Sequence, residues 1–535
     1  MKANLPNLIF ICLLAAAAHF LYSPLGFNPT DDGFILAYAK RIFLGEIPHL
    51  EHISIRPQGS PILHHFLYYF FDDHLLLASR GLVCLQLAIW TGIWLQLFRH
   101  FSGRAKMGIN GKKWMWLLGA CVLFTLGLHQ FPLLAWHTID GLLLGLLGFW
   151  LCEQKYHAFG FLLLGLSTLC KQNFLALVPL FYFFYFRQIK ILHLPLPFLP
   201  ILGYVFWVFF HGGLPNMLSQ LTAEHSLWEA GFLTYAKDPY FLAILGLLLL
   251  LAFLRRKISF FQWLYHWTIP AFGVGIFALL GIGKIEMTGA RLPFALGFLI
   301  WGVMLWTAQN PLKTKIYAAP RFRLLTFILG MAWMSGISMT YNTPVFLLGP
   351  LIWYLLLFEW PAFRQLPKLF FPTTALLVLL VFHHARTHHI YRDLPQKKLT
   401  YEIGHLLPGG KGIYTGKSTF ELLESLGNLA QKYPKHAVIP DFAAYWIHPQ
   451  NQNPLPIDWP SALELQSPDL LAQTIAALPK AEHLFIAKYY TRNIAFEQQA
   501  IEKGSYPLID HIRQNLPKVA ENEHFEVYGT SQNRD

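Results

Sequence analysis

Apolar residues run in long blocks from the N terminus to about residue 385, and there the blocks end. Windows of about 15 to 22 residues, set against the length a helix needs to cross a bilayer, mark spans near 5–22, 80–98, 113–128, 138–153, 157–171, 173–187, 194–211, 240–254, 264–282, 293–308, 323–340, 344–358 and 370–384. This pattern predicts a polytopic α-helical membrane protein with about thirteen transmembrane helices in residues 1–385. Ala15 to Ala18 look like the small-residue site of a cleaved signal. The run before them is long for a signal core of about 7 to 15 residues, so an uncleaved first helix is expected.

A long loop, 23–79, follows the first run. Phe34, Ile35, Tyr38, Ile42 and Phe43 recur at helical spacing opposite Lys40, Arg41 and Glu46, and "PILHHFLYYFF" is too short to span. Both segments are expected to be helices lying in the membrane interface. From about residue 386 the runs shorten to strand length, "HAVIPDF" and "HLFIAKYY", and alternate with amphipathic stretches such as "STFELLESLGNLAQKY" and "SPDLLAQTIAALP". Residues 386–535 therefore read as a C-terminal extracytoplasmic α/β domain.

Composition agrees with a membrane protein: 55% of the 535 residues are hydrophobic and 13% charged, with a mean hydropathy of +0.40. The net charge of +12 points to topology before nucleic acid, because the basic residues gather in short loops. With a cytoplasmic N terminus, the inside loops carry Arg99, Arg104, Lys106, Lys112 and Lys113, then Lys155, Arg187 and Lys190, Arg255, Arg256 and Lys257, Lys313, Lys315, Arg321 and Arg323, and Arg364 and Lys368. Glu153 and Glu359 are among their few acids. The positive-inside rule favours this orientation and puts the loop 23–79 and the C-terminal domain outside. All five cysteines lie in or beside apolar runs, so no disulfide framework or thiolate metal site is implied.

Candidate chemistry starts at Asp31 and Asp32, on the outer face. Taken alone, the dipeptide reads as a helix start, with Asp31 as N-cap and Asp32 favourable to the helix dipole. After it come Gly33, the amphipathic helix, Gly45-Glu46-Ile47-Pro48, Arg56-Pro57-Gln58-Gly59-Ser60-Pro61 and Arg80. This order resembles the first external loop of the C-type (GT-C) glycosyltransferases, the polyprenyl-phosphate-sugar-dependent superfamily that includes the protein O-mannosyltransferases and the lipid A aminoarabinose transferase. The usual family pair is Asp-Glu, and here the second acid is Asp32. A second stretch, "GFLLLGLSTLCKQNFLALVPL", is similar to the family's small-residue-rich helix ending in Lys-Gln, here Lys171-Gln172. Lys171 falls on the outer side, where a positive-inside lysine does not belong. "AWHTIDGLLL" puts His137 and Asp140 at the same level, and "GKIEMTGARLP" adds Glu286 and Arg291.

The resemblance implies transfer of a sugar from a polyprenyl-phosphate donor to a hydroxyl on a lipid, glycan or protein acceptor, with inversion at the anomeric carbon. Asp31 would be the base and Asp32 would position acceptor or sugar, while Arg56, Lys171 and Arg291 would hold the donor phosphate. His137, Asp140, Gln172 and Glu286 would contact substrate. No cofactor is required. The many histidines, such as His64-His65 and His383-His384, could ligate a divalent metal, but adjacent residues do not share a helix face, and no metal site is predicted. The expected location is the plasma (inner) membrane. The rival readings are an oligosaccharide ligase or polymerase of the cell envelope and a non-enzymatic transporter or flippase.

Overall fold

The computed structural model describes residues 5–530 except 106, 108–112, 131–132, 224–232, 255–258, 285–290, 309–315, 317–318, 337–344, 463, 466 and 489–505. Glu286, Lys106, Lys112, Arg255, Arg256, Lys257, Lys313 and Lys315 thus lie outside the described residues.

Among the described residues, two helices are long and apolar enough to cross a membrane: α1 (Leu5–Tyr22) and a helix of 30 residues (Leu75–Arg104). The expected count of about thirteen is therefore corrected. The other apolar windows fold into shorter pieces. The window 173–187 splits into a 3-10 turn at Gln172–Ala176 and a helix of 9 residues at Leu177–Tyr185. The window 344–358 divides among a 3-10 turn, the helix Leu348–Tyr354 and a π turn at Leu355–Glu359. A straight helix gains about 1.5 Å per residue, so nine residues cover well under half of a roughly 30 Å hydrocarbon layer.

Apolar side chains also face outward along shorter helices, as with Phe206 and Phe210, Leu247, Leu250 and Phe253, and Leu376, Leu377 and Leu380. Exposed apolar surface on this scale meets lipid or protein. With the two long helices it indicates membrane association.

The loop after α1 folds into α2 (Phe34–Phe43) and α3 (Gly59–His64) before the long helix, α4 (Leu75–Arg104). Further on come α5 (Lys113–Gln130), α6 (His137–Glu153) and α7 (His157–Cys170), and α6 packs along α7. Close approach of this pair depends on small residues: a Cβ added at Gly148 would lie 2.8 Å from the Gly160 carbonyl oxygen.

The C-terminal residues build β1 (Tyr401–Glu402) and β2 (Tyr414–Thr415), an antiparallel pair, then β3 (His436–Ile439), β4 (His483–Ala487), β5 (Lys518–Glu521) and β6 (Phe525–Gly529). The last four form one sheet in the order β3-β4-β6-β5, with β3 and β4 parallel and the other pairs antiparallel. Successive strand residues point to opposite faces. Val438, Phe485 and Val527 pack with Phe34, Ile35 and Tyr38 of α2 on one face. On the other, Ala437, Ile439, Leu484 and Ile486 pack with Ile53 and Ile55. The loop between α1 and α4 thus covers both faces of the C-terminal sheet, and the two distant segments share a hydrophobic cluster on each face.

That packing explains α2. Lys40 and Arg41 are buried together with the apolar face. Lys40 Nζ donates to the Asn451 carbonyl at 2.7 Å. Arg41 donates to both carboxylate oxygens of Asp458, at 2.6 and 2.8 Å.

Candidate active site

The turn 28–33 carries the two aspartates into α2. Its pivot is Asn28, whose Oδ1 accepts the backbone N–H groups of Thr30 (3.2 Å) and Asp31 (2.9 Å), an Asx-type turn. The helix is capped at Gly33 with no side-chain cap bond. Neither aspartate caps it, which corrects the reading of the dipeptide alone. Gly33 is required by close approach: an added Cβ would lie 2.1 Å from the Ala444 backbone, and Ala444 N–H donates to Pro29 O at 2.9 Å.

Adjacent in sequence, Asp31 and Asp32 are held differently. Asp32 Oδ1 accepts from Arg80 Nη2 at 2.9 Å, and its Oδ2 from the Asn28 backbone N–H at 2.7 Å. Arg80 also donates to the carbonyls of Ser23 and Gly26, at 2.6 and 2.7 Å, so it staples the chain leaving α1 to the head of α4. Asp31 makes both of its side-chain contacts through Oδ2, with the Tyr391 hydroxyl at 2.7 Å and Arg392 Nη1 at 2.8 Å. Among the described residues, Oδ1 accepts no hydrogen bond. Burial raises the Asp31 pKa above the ordinary carboxylate value; Arg392 and Tyr391 work against that rise, and Asp32 adds to it.

A second group gathers around Phe34. The guanidinium of Arg56 lies 5.4 Å from its ring centroid and pairs with Glu464 from the C-terminal sheet region. The Trp459, Trp136 and His137 rings lie 4.4, 5.8 and 6.0 Å from Phe34. His137, at the start of α6, is buried, and its Nδ1 has no hydrogen-bond partner among the described residues. Burial, then the charges of Arg56 and Lys171, push its pKa well below the usual imidazole value and keep the ring neutral. Lys171 sits just past α7, buried, with Nζ 3.5 Å from Thr138 Oγ1 and 3.4 Å from the Ser335 carbonyl. Gln172 donates to the Ile55 carbonyl at 3.5 Å. Arg56, His137, Lys171 and Gln172, drawn from three separate stretches, are thereby brought together.

Two of the sequence candidates have structural partners of their own. Asp140 accepts from Gln86 at 2.6 Å and meets His64 at 3.2 Å, tying α6 to α4 and α3. Arg291 donates to Asp238 at 2.6 Å and lies over the Tyr240 ring. Glu286 is outside the described residues, which also contain no group of His, Cys, Asp and Glu side chains able to hold a metal ion.

Sequence reasoning missed Tyr391, Arg392, Trp459 and Glu464. For Arg392 a signal existed: it follows the last apolar window, on the side where the predicted topology makes cations scarce, as it does for Lys171. Nothing in "PSALELQSP" marks Glu464. No family model, curated protein or solved structure matches this chain.

Proposed function

We propose that this chain is a membrane glycosyltransferase that moves a sugar from a polyprenyl-phosphate donor to a hydroxyl acceptor, with Asp31 as the base. The observation that carries the reading is the asymmetry of Asp31: the Tyr391 hydroxyl donates to Oδ2 and Arg392 pairs with the same oxygen, while among the described residues Oδ1 accepts no hydrogen bond. A buried carboxylate with one oxygen open and its pKa raised by burial is suited to take a proton from an incoming hydroxyl. The local order of residues around Asp31 and Lys171, which resembles the C-type glycosyltransferases, supplies the substrate class.

In the proposed reaction the acceptor oxygen bonds to the anomeric carbon as the bond from that carbon to the phosphate oxygen breaks. The hydroxyl proton passes to Asp31 Oδ1, the polyprenyl phosphate leaves with the electron pair, and the configuration inverts. Arg56 and Lys171, the two cations whose fields meet at His137, would stabilise the departing phosphate. Asp32, with both oxygens engaged, would hold the turn that aims Asp31.

Connectivity supports an extracytoplasmic site. The Asp31 turn joins the two candidate spanning helices, and Arg99 and Arg104 stand at the far end of α4. With these cations in the cytoplasm, the N terminus is cytoplasmic, and the turn and the C-terminal sheet that shares its core are extracytoplasmic. The membrane would be the plasma membrane, and the acceptor a lipid, glycan or protein of the envelope.

The test is Asp31→Asn, with mass analysis of envelope lipids, polysaccharide and glycoproteins. Loss of one transferred sugar with unchanged membrane insertion is expected. Undiminished transfer would remove the assignment.

A further inference from the structure

Asp31 is held by a turn more than 350 residues away in the chain. That turn, residues 390–393, is fastened to the first loop at points flanking the carboxylate contact. Asp393 Oδ2 accepts the Phe27 N–H at 2.8 Å and the Thr415 hydroxyl at 2.7 Å. Ile390 lies against Gly26, where an added Cβ would come within 2.4 Å of the Ile390 side chain, and Gly26 itself has φ +82°. Between these anchors Arg392 takes φ 51°, in the left-handed region that residues with side chains seldom occupy and glycine enters freely. Arginine at a position fitted to glycine points to a use for its side chain, and that side chain reaches Asp31 Oδ2.

We infer that Tyr391 and Arg392 are the positioning pair for Asp31: by binding Oδ2 together they fix the carboxylate plane, hold it ionised and present Oδ1 to the acceptor hydroxyl. The inference rests on Asp31 being the base. A hydrogen bond and an ion pair on one oxygen oppose rotation about the Cβ–Cγ bond, which would otherwise exchange Oδ1 and Oδ2. Among the described residues, the charged and titratable groups facing Asp31 are Arg392, Tyr391 and Asp32, and Arg80 neutralises Asp32 from behind. Arg392 is the cation of that set that pairs with Asp31, and its removal leaves a buried carboxylate beside a second one.

The experiment uses the full-length protein in membranes that contain the native lipid-linked donor and acceptor, and follows sugar transfer against pH. In Arg392→Gln the acid limb of kcat/KM is expected to move up by about one to three pH units. At the pH where the wild type is half-maximal, this lowers the rate by about 5-fold to about 500-fold, through kcat with KM little changed. Tyr391→Phe should move the limb the same way by less, and Arg392→Lys should restore most of it. A fall in rate with an unmoved limb, or no rescue by lysine, would overturn the inference.

A second measurement needs no substrate. Infrared titration of protein labelled with 13C at aspartate carboxylates, taken as the difference from Asp31→Asn, should give a higher midpoint for Arg392→Gln than for wild type, and equal midpoints would overturn the inference. If Asp31→Asn keeps full transfer, the assignment of the base fails. If it abolishes transfer while the Arg392→Gln profile stays in place, only the positioning pair fails.

Discussion

Two buried carboxylate centres, one at each end of α4, are built on opposite plans. At Glu153, where α6 ends, both oxygens are saturated. Oε1 accepts from the Tyr185 hydroxyl at 2.7 Å and Arg323 Nη1 at 2.5 Å, and Oε2 from Arg104 Nη1 at 2.9 Å with His100 at 3.3 Å. At Asp31 both contacts fall on one oxygen, and among the described residues the other accepts no hydrogen bond. A saturated buried carboxylate joins helices, and its energy lies in the partners it satisfies. An open one gives up part of that stabilisation and keeps an acceptor in reserve for something outside the protein. Asp32 belongs with Glu153 in this respect, although it sits beside Asp31 in the chain.

The sharpest way to break the comparison is to remove each carboxylate and measure stability and transfer together. Glu153→Ala leaves Arg323 buried without its main counter-charge, and should cost about 3 to 5 kcal/mol in denaturant unfolding. Transfer should fall only with the folded fraction. Asp32→Ala takes the counter-charge from Arg80 and loosens the turn that aims Asp31; it should cost about 3 kcal/mol and lower transfer further than the folded fraction alone accounts for. Asp31→Asn should reverse the ratio, with transfer down by about 10²- to 10⁴-fold and stability changed by no more than about 1 kcal/mol, since Arg392 can turn to solvent. A large stability loss in Asp31→Asn would erase the distinction.

Acid titration refines it further. Burial raises the Asp458 pKa, but the charge and hydrogen bonds of Arg41, with Lys40 and Asn453, outweigh it and hold that carboxyl below its ordinary value. Its contribution to stability is present above the unfolded pKa and is lost as pH falls through the folded one. Asp31 is shifted upward, so its ionised form costs stability, and that cost disappears as the pH falls through its raised pKa toward the unfolded value. Asp458→Asn should therefore be weaker than wild type at neutral pH and approach it in acid. Asp31→Asn should match or exceed wild type at neutral pH, with the gap closing in acid, the smallest of these effects.

What could be read from the sequence was local. The order of residues around Asp31 singled out the carboxylate with the open oxygen, and the offset of Lys171 from the positive-inside pattern picked out a cation that shares a field with Arg56. Helix length was not legible, because hydropathy averages apolar content and is blind to where the backbone turns. The break between Gln172–Ala176 and Leu177–Tyr185 lies inside an uninterrupted apolar run. The amphipathic face of α2 misled for a related reason. A stripe of Lys40 and Arg41 has the same pattern whether it meets water or Asp458, and only the fold brings Asp458 to it. Tyr391 and Glu464 are functional candidates through contacts made across hundreds of residues, which no local spacing encodes; Arg392 is marked only by its place past the last apolar window.

Gly33 closes the seam between the first loop and the C-terminal sheet so tightly that one methyl group would meet the Ala444 backbone. Such a seam has an evolutionary consequence. Neither side can drift or be exchanged alone, because a replacement for residues 443–446 must reproduce the path of the backbone it displaces. Exchange of the C-terminal region alone would therefore have to keep the backbone at residues 443–446 within reach of Gly33.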